Sequence, residues 1–262
     1  MKIAPSTNYI GNNLVEFCTS VLKETLSDPV RTARINELGI LSACVEDFVR
    51  GYTFIEDEAL DTDDEIMNWC FSEVSTDLTS AIWLLSSGFY KASASSLRNA
   101  LDIGTASLYF QMRENTHRGP GYNRFFSEWD RGIRETPNWG EMKTILSAQA
   151  SVIAFKKSTR IDIIEDTYSV FKHLCGYTHT SAFDVKGSPV TAINLTGTAP
   201  AFDTFAFDRG CDLALETMSR IAMIWQVAYP AISRTEPLKR SDPKYLHLLF
   251  SGATGSSALV HK

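Results

Sequence analysis

The sequence predicts a mainly α-helical fold, an up-and-down bundle of about six to seven helices. Three observations carry that expectation. Apolar residues recur at spacings of three and four over stretches of about twenty residues, the signature of one buried helix face. Breakers separate those stretches, at Ser27-Asp28-Pro29, Gly119-Pro120-Gly121 and Pro230. No internal repeat or long linker divides the chain, so residues 1–250 read as one domain and 251–262, small and polar, as a flexible tail.

The elements follow in order. Ile10, Leu14, Phe17, Val21 and Leu22 share a face over 10–27; Ile35, Leu38, Leu41, Val45 and Phe48 do so over 30–50. Thr62 to Glu65 has the spacing of a capping box, opening a helix that runs to about Ser86. In the next helix, 88–115, Tyr90, Ala94, Leu97, Leu101, Gly104 and Leu108 make a seam, and the small residues from Ala92 to Ser96 suit close helix approach. Residues 116–140 read as irregular, with short helices near 122–133 and 140–149. A helix over 159–178 should turn Ile161, Ile164, Tyr168, Phe171, Leu174 and Cys175 inward. Glycines and prolines among β-branched residues predict a small hairpin or ordered loop near 184–197. A last long helix spans 203–229, and Asp242-Pro243 opens a short one to Phe250.

Composition bounds the function. Of the 262 residues, 44% are hydrophobic, enough for a sizeable core, and the net charge of −6 argues against a general polyanion binder while leaving room for a local basic groove. No run of apolar residues is long enough to cross a bilayer, and the first residues lack the apolar stretch of a leader, so a cytoplasmic protein with no membrane association is expected. Cys18, Cys44, Cys70, Cys175 and Cys211 are odd in number and widely spaced, which predicts reduced thiols in place of a disulfide frame. No cofactor and no metal is expected: the phosphate loop, the dinucleotide fingerprint, the nucleophile elbow and the zinc-protease helix are all missing. His173, Cys175 and His179 do not converge as ligands on one helix.

Two constellations could carry chemistry. Arg98 and Asp102 lie four apart on one helix face, beside the Leu97/Leu101 seam. They read either as a half-exposed intrahelical ion pair or as a polar cluster set into the bundle wall. His179 falls on the stripe of Phe171 and Cys175, where it would meet a buried polar partner or simply close the helix end. A third group, Arg118, Arg124, Trp129 and Arg131 within 113–139, mixes arginines with aromatics as single-strand nucleic-acid binders do. The same stretch also reads as an amphipathic lid whose aromatics pack on the bundle. The acids from Glu56 to Glu65 read as a solvated loop or a docking site for a basic partner.

The segments SASSLRNALDIGTASLYF (93–110) and YSVFKHLCGYTHTS (168–181) resemble a loose group of bacterial helical proteins, similar to HEPN domains and associated with abortive infection or phage defence. In that group one helix carries Leu-Arg-x-x-x-acid and a later one Tyr-x-x-Leu-Ser-x-x-x-His. The resemblance implies that Arg98, Asp102, Tyr168 and His179 face one another across two helices, and that the protein binds or cleaves RNA without metal, as a homodimer. Asp102 replaces the usual Glu, and Cys175-Gly176 stands near the expected Leu-Ser. HEPN ribonucleases place Arg and His on one helix with four to six residues between them; only Arg240 and His247 fit here, with Asp242-Pro243 between them. The alternative is a non-catalytic interaction or dimerisation module, in which Arg98, Asp102 and His179 form a buried network with a protein partner bound elsewhere. A sensor with a small-ligand pocket between helices is a third reading.

Overall fold

The computed structural model describes residues 16, 19–53, 65–115, 124–178 and 202–253. Its regular structure is helical, with no strand among the described residues. A helical stretch at 19–26 (α1) is followed by α2 (Pro29–Thr53), α3 (Glu65–Ser86), α4 (Tyr90–Asn115), α5 (Arg124–Asp130), α6 (Trp139–Ser147), α7 (Ala150–Thr159), α8 (Ile163–Thr178), α9 (Thr204–Ala228), a 3-10 turn (Pro230–Arg234), α10 (Glu236–Arg240) and α11 (Pro243–Ala253). The expectation of six to seven helices was low: among the described residues there are eleven elements from α2 onward, of which α5 and α6 correspond to the short helices expected near 122–133 and 140–149, while α7, α10 and the 3-10 turn are too short to show a sustained period. The hairpin expected at 184–197, the Thr62 cap and the start of the first helix lie outside the described residues.

Local chemistry sets the boundaries. The Asp28 carboxylate accepts from Val30 N at 2.8 Å, with Pro29 opening α2. Gly88, at φ 77°, takes the left-handed conformation that turns α3 into α4, and Phe89 N donates back to Leu84 O at 2.8 Å. Asn138 caps α6 through Glu141 N, and Asp203 caps α9 through Ala206 N. Tyr90 OH locks that second cap: it accepts from Asp203 N at 3.0 Å and lies 3.2 Å from Asp203 O. The helix expected from residue 159 begins instead at Ile163. Arg160 adopts φ 65° and ends α7, and the Asp162 carboxylate then accepts from Glu165 N. At the other end α11 continues to Ala253, so the first residues assigned to a tail are helical.

The core is built around α9. Thr217 to Trp225 are buried without a break, so this helix is enclosed on every side. It packs on α2, α3, α4, α8 and α11. Two glycines set the spacing. A Cβ on Gly104 would lie 3.3 Å from Ile221, and one on Gly210 would lie 2.3 Å from Leu85 Cδ1. The Trp225 indole donates to Gly104 O at 3.2 Å across the same contact. The predicted α4 seam faces this core: Tyr90, Ala94, Leu97, Leu101 and Leu108 are all buried. A second cluster, mostly aromatic, joins α4, α5 and α6 through Tyr109, Phe110, Phe126, Trp139 and Met142, with Trp69, Trp129, Tyr168 and Phe171 packed on its border.

Candidate functional site

The aromatic cluster has a rim of cations. Arg113 and Arg134 cover Phe125 from 3.9 and 4.0 Å, Lys143 and Lys172 lie 4.6 and 4.7 Å from the Tyr168 ring, and Arg98 lies 5.2 Å from Phe171. Three of the five are held by carboxylates: Arg113 by Glu141, Arg134 by Glu128 and Lys143 by Glu165. Arg98 and Lys172 make no ion pair among the described residues. The positive charge of this wall that remains available to a ligand therefore sits on α4 and α8.

Arg98, Asp102 and Tyr168 do meet on this wall, through two rings that the sequence did not assign to the site. Trp139 packs at a tilt on Phe171 and Tyr168, with ring centroids 4.8 and 5.4 Å apart, and Phe171 lies under the Arg98 guanidinium. The Arg98–Asp102 ion pair is not closed. Arg98 Nε is buried without a hydrogen-bond partner, and so is Trp139 Nε1. The Trp139 indole approaches the Asp102 carboxyl closely enough to favour its ionised form, but short of good hydrogen-bond geometry. Burial outweighs that contact and the Arg98 charge, and pushes the Asp102 carboxyl up from its usual range. Two buried N–H donors thus lie in one cluster with a carboxyl whose ionised form burial disfavours.

Cys175 joins the group. Its thiol is pushed up by partial burial, drawn down by Arg98 and pushed up again by Asp102, which places it beside both. On α8 the stripe Tyr168, Phe171 and Cys175 is half-buried against α4 and α6, whereas Ile163, Ile164, Thr167, Val170, Leu174 and Tyr177 are the buried positions. His179 lies outside the described residues.

The second expected group divides. Trp129 packs on Trp69 at 4.7 Å and on Phe110 and Phe126 at 5.7 Å, and its indole donates to Thr136 Oγ1 at 3.1 Å. Arg131 is exposed just after α5. Arg118 and the Arg124 side chain lie outside the described residues. Packing of the α5 aromatics on the bundle is what the lid reading describes, and it puts Trp129 and Tyr168 on the border of one cluster. Arg240 ends α10 and His247 lies in α11, so that pair does not share a helix.

A second polar constellation, on the opposite side of α8, was missed. His173 and Tyr177 meet Arg209 of α9. Arg209 Nη2 is 3.2 and 3.3 Å from the two imidazole nitrogens, Arg209 Nε is 3.4 Å from Tyr177 OH, and that hydroxyl is 3.2 Å from His173 Nε2. Partial burial and the Arg209 charge lower the His173 pKa, with Glu216 opposing them. The residues are 36 positions apart, and only the turn between spacing on α8 and its neighbour on α9 could have joined them.

Among the described residues no group of three or more His, Cys, Asp or Glu side chains could hold a metal, and no helix is long and apolar enough to cross a membrane. No family model matches the chain, and neither the curated proteins nor the solved structures hold a match to it.

Proposed function

We propose that this chain is a HEPN-like RNA-binding module of the bacterial defence type, and that its RNA-contacting surface is the wall between α4, α6 and α8. One observation carries the reading: Arg98 lies against an aromatic ring with a buried N–H that has no acceptor, next to Tyr168 and its flanking lysines. Arginine on a phosphate and a half-buried tyrosine under a base is the pairing that recognises single strands. Because, of the five cations around the aromatic cluster, Arg98 and Lys172 are the two without an ion pair among the described residues, and the net charge is −6, the contact is local, with few phosphates neutralised and a shallow salt dependence. Cleavage requires a general acid–base group within reach of the 2′-hydroxyl, and His179 is the residue the resemblance offers.

Fluorescence anisotropy with a labelled single-stranded RNA tests this. Arg98→Gln and Tyr168→Ala should each weaken binding by about 1–3 kcal/mol, roughly ten- to a hundredfold. Arg131→Gln, on an exposed turn, should change little. An RNA that binds both variants as tightly as the natural protein overturns the assignment. If the natural protein shortens the RNA and His179→Ala does not, the module cleaves as well as binds.

One observation favours the other reading, a homodimerising interaction module. Trp83 is 61% exposed, beside Leu22, Leu26, Ile35 and Ile82 in a groove of about 310 Å³ between α1, α2 and α3. Light scattering should then give twice the monomer mass, and Trp83→Ser should return it to one.

A further inference from the structure

We infer that the groove between α1, α2 and α3 binds a neutral, mainly apolar small molecule the size of a two-ring aromatic, held by a hydrogen bond to Ser42 and by the face of Trp83. The groove shares no residue with the α4–α6–α8 wall, so the inference is independent of the RNA reading. A small molecule and a second copy of the chain would compete for this place.

Size and polarity define the ligand. The groove measures about 310 Å³. An apolar cavity of about 150 Å³ takes one benzene ring, so this space suits two fused rings. Leu22, Leu26, Ile35 and Ile82 make its apolar walls, and no charged side chain lines it among the described residues. A charged ligand would lose hydration there without gaining a counter-charge, so the occupant is neutral. Trp83 offers an exposed indole face on which a planar ring can stack.

Ser42 gives the groove its polar point. It lines the groove, is only 9% exposed, and its side chain makes no hydrogen bond among the described residues. Other buried hydroxyls in these helices are satisfied locally: Thr25, Ser86, Thr105, Ser107 and Thr167 each donate to the carbonyl four residues back. Thr217 and Ser219 also lack partners, but their oxygens are sealed in the core around α9. Ser42 instead opens on the groove. A hydroxyl sunk between apolar walls is the kind of single polar group that orients a ligand in a mostly apolar site. Gly39, three residues back on the same helix face, has no side chain to cover it.

Titration calorimetry on the full chain tests the inference with 2-naphthol, a neutral two-ring alcohol. One molecule should bind per chain. Ser42→Ala should weaken binding about two- to tenfold, the weight of one hydrogen bond. Trp83→Ser should also weaken it, and Trp83→Phe by less. The anion 2-naphthoate, with the same rings, should bind more weakly than 2-naphthol. A Cβ at Gly39 meets nothing within 4 Å, so Gly39→Leu should fold with an unchanged or higher melting temperature, fill the groove and abolish binding. Arg98→Gln should bind 2-naphthol as the natural protein does. No saturable binding of 2-naphthol overturns the inference, as does unchanged binding by Ser42→Ala or Gly39→Leu, or tighter binding of 2-naphthoate. Binding seen only in Trp83→Ser, where a second copy no longer covers the groove, overturns it in favour of the dimer.

Discussion

Replacing Gly210 with alanine should destabilise the protein, although the same change on an open helix face stabilises it. Within a helix, Gly to Ala gains about 0.8–1.0 kcal/mol from backbone entropy. At Gly210 the new methyl would sit 2.3 Å from Leu85 Cδ1, well inside contact distance, and Leu85 is fully buried in the α3–α9 interface. Leu85 must leave its rotamer or the helices must part, at a cost of about 1–3 kcal/mol. The sum is a loss of about 0–2 kcal/mol. Gly39 supplies the control: it lies in the middle of α2, and a Cβ there meets nothing within 4 Å. Gly39→Ala should therefore show the propensity gain alone, so the two variants should differ by about 1–3 kcal/mol. Urea unfolding followed by far-ultraviolet circular dichroism measures both midpoints. A double-mutant cycle with Leu85→Ala locates the cause, because with that side chain truncated Gly210→Ala should cease to destabilise. Equal midpoints for Gly210→Ala and Gly39→Ala would refute the close approach of α3 and α9.

Asp77 is pushed up to about 6 by burial and by Glu73 one turn away. Its folded pKa exceeds its unfolded one, so the native state loses stability as pH rises from about 4 through 6. Asp77→Asn should raise the urea midpoint at pH 7 and flatten that part of the profile. Asp102 is shifted the same way by burial, so Asp102→Asn should not lower the melting temperature at neutral pH; a drop of several degrees would instead favour the buried structural network. Arg34 bridges α2 to α9 through Asp208 and Asp212, both at 2.8 Å. The three side chains are substantially exposed, so Arg34→Ala should cost at most about 1 kcal/mol, less in high salt, as differential scanning calorimetry would show. Burial pushes the Cys211 thiol up to about 12, while Cys175 is only partly covered. A chromogenic thiol reagent followed by peptide mapping should label Cys175 in the native protein and reach Cys211 only on unfolding.

The long helices were legible because each repeats its apolar period over several turns. The α4 seam was read residue by residue, and the last long helix was placed within a residue of α9 at each end. The short helices expected near 122–133, 140–149 and 243–250 correspond to α5, α6 and α11, but α7 and α10 were not read, since five to ten residues give less than three turns of pattern. In α7 only Val152 and Phe155 share the buried face, and the third large apolar residue, Ile153, lies about 100° round the helix and is exposed. The break after α7 had no signal either, because a left-handed conformation is usually marked by glycine and here falls on Arg160. At the site, spacing correctly put Arg98 beside Asp102, but it could not show that the ion pair stays open. That outcome depends on Trp139 and Phe171, contributed by helices far along the chain. The His173–Arg209 contact was hidden for the same reason: its meaning lies in the packing of α8 on α9.

The enclosure of α9 has a consequence for synthesis on the ribosome. The helix that fills the middle of the bundle emerges only after α2, α3, α4 and α8 have been made. Until residues beyond 204 leave the exit tunnel, those earlier helices surround an empty apolar slot. Final closure thus waits for this helix, and a nascent chain halted short of that point should be the form most dependent on chaperones.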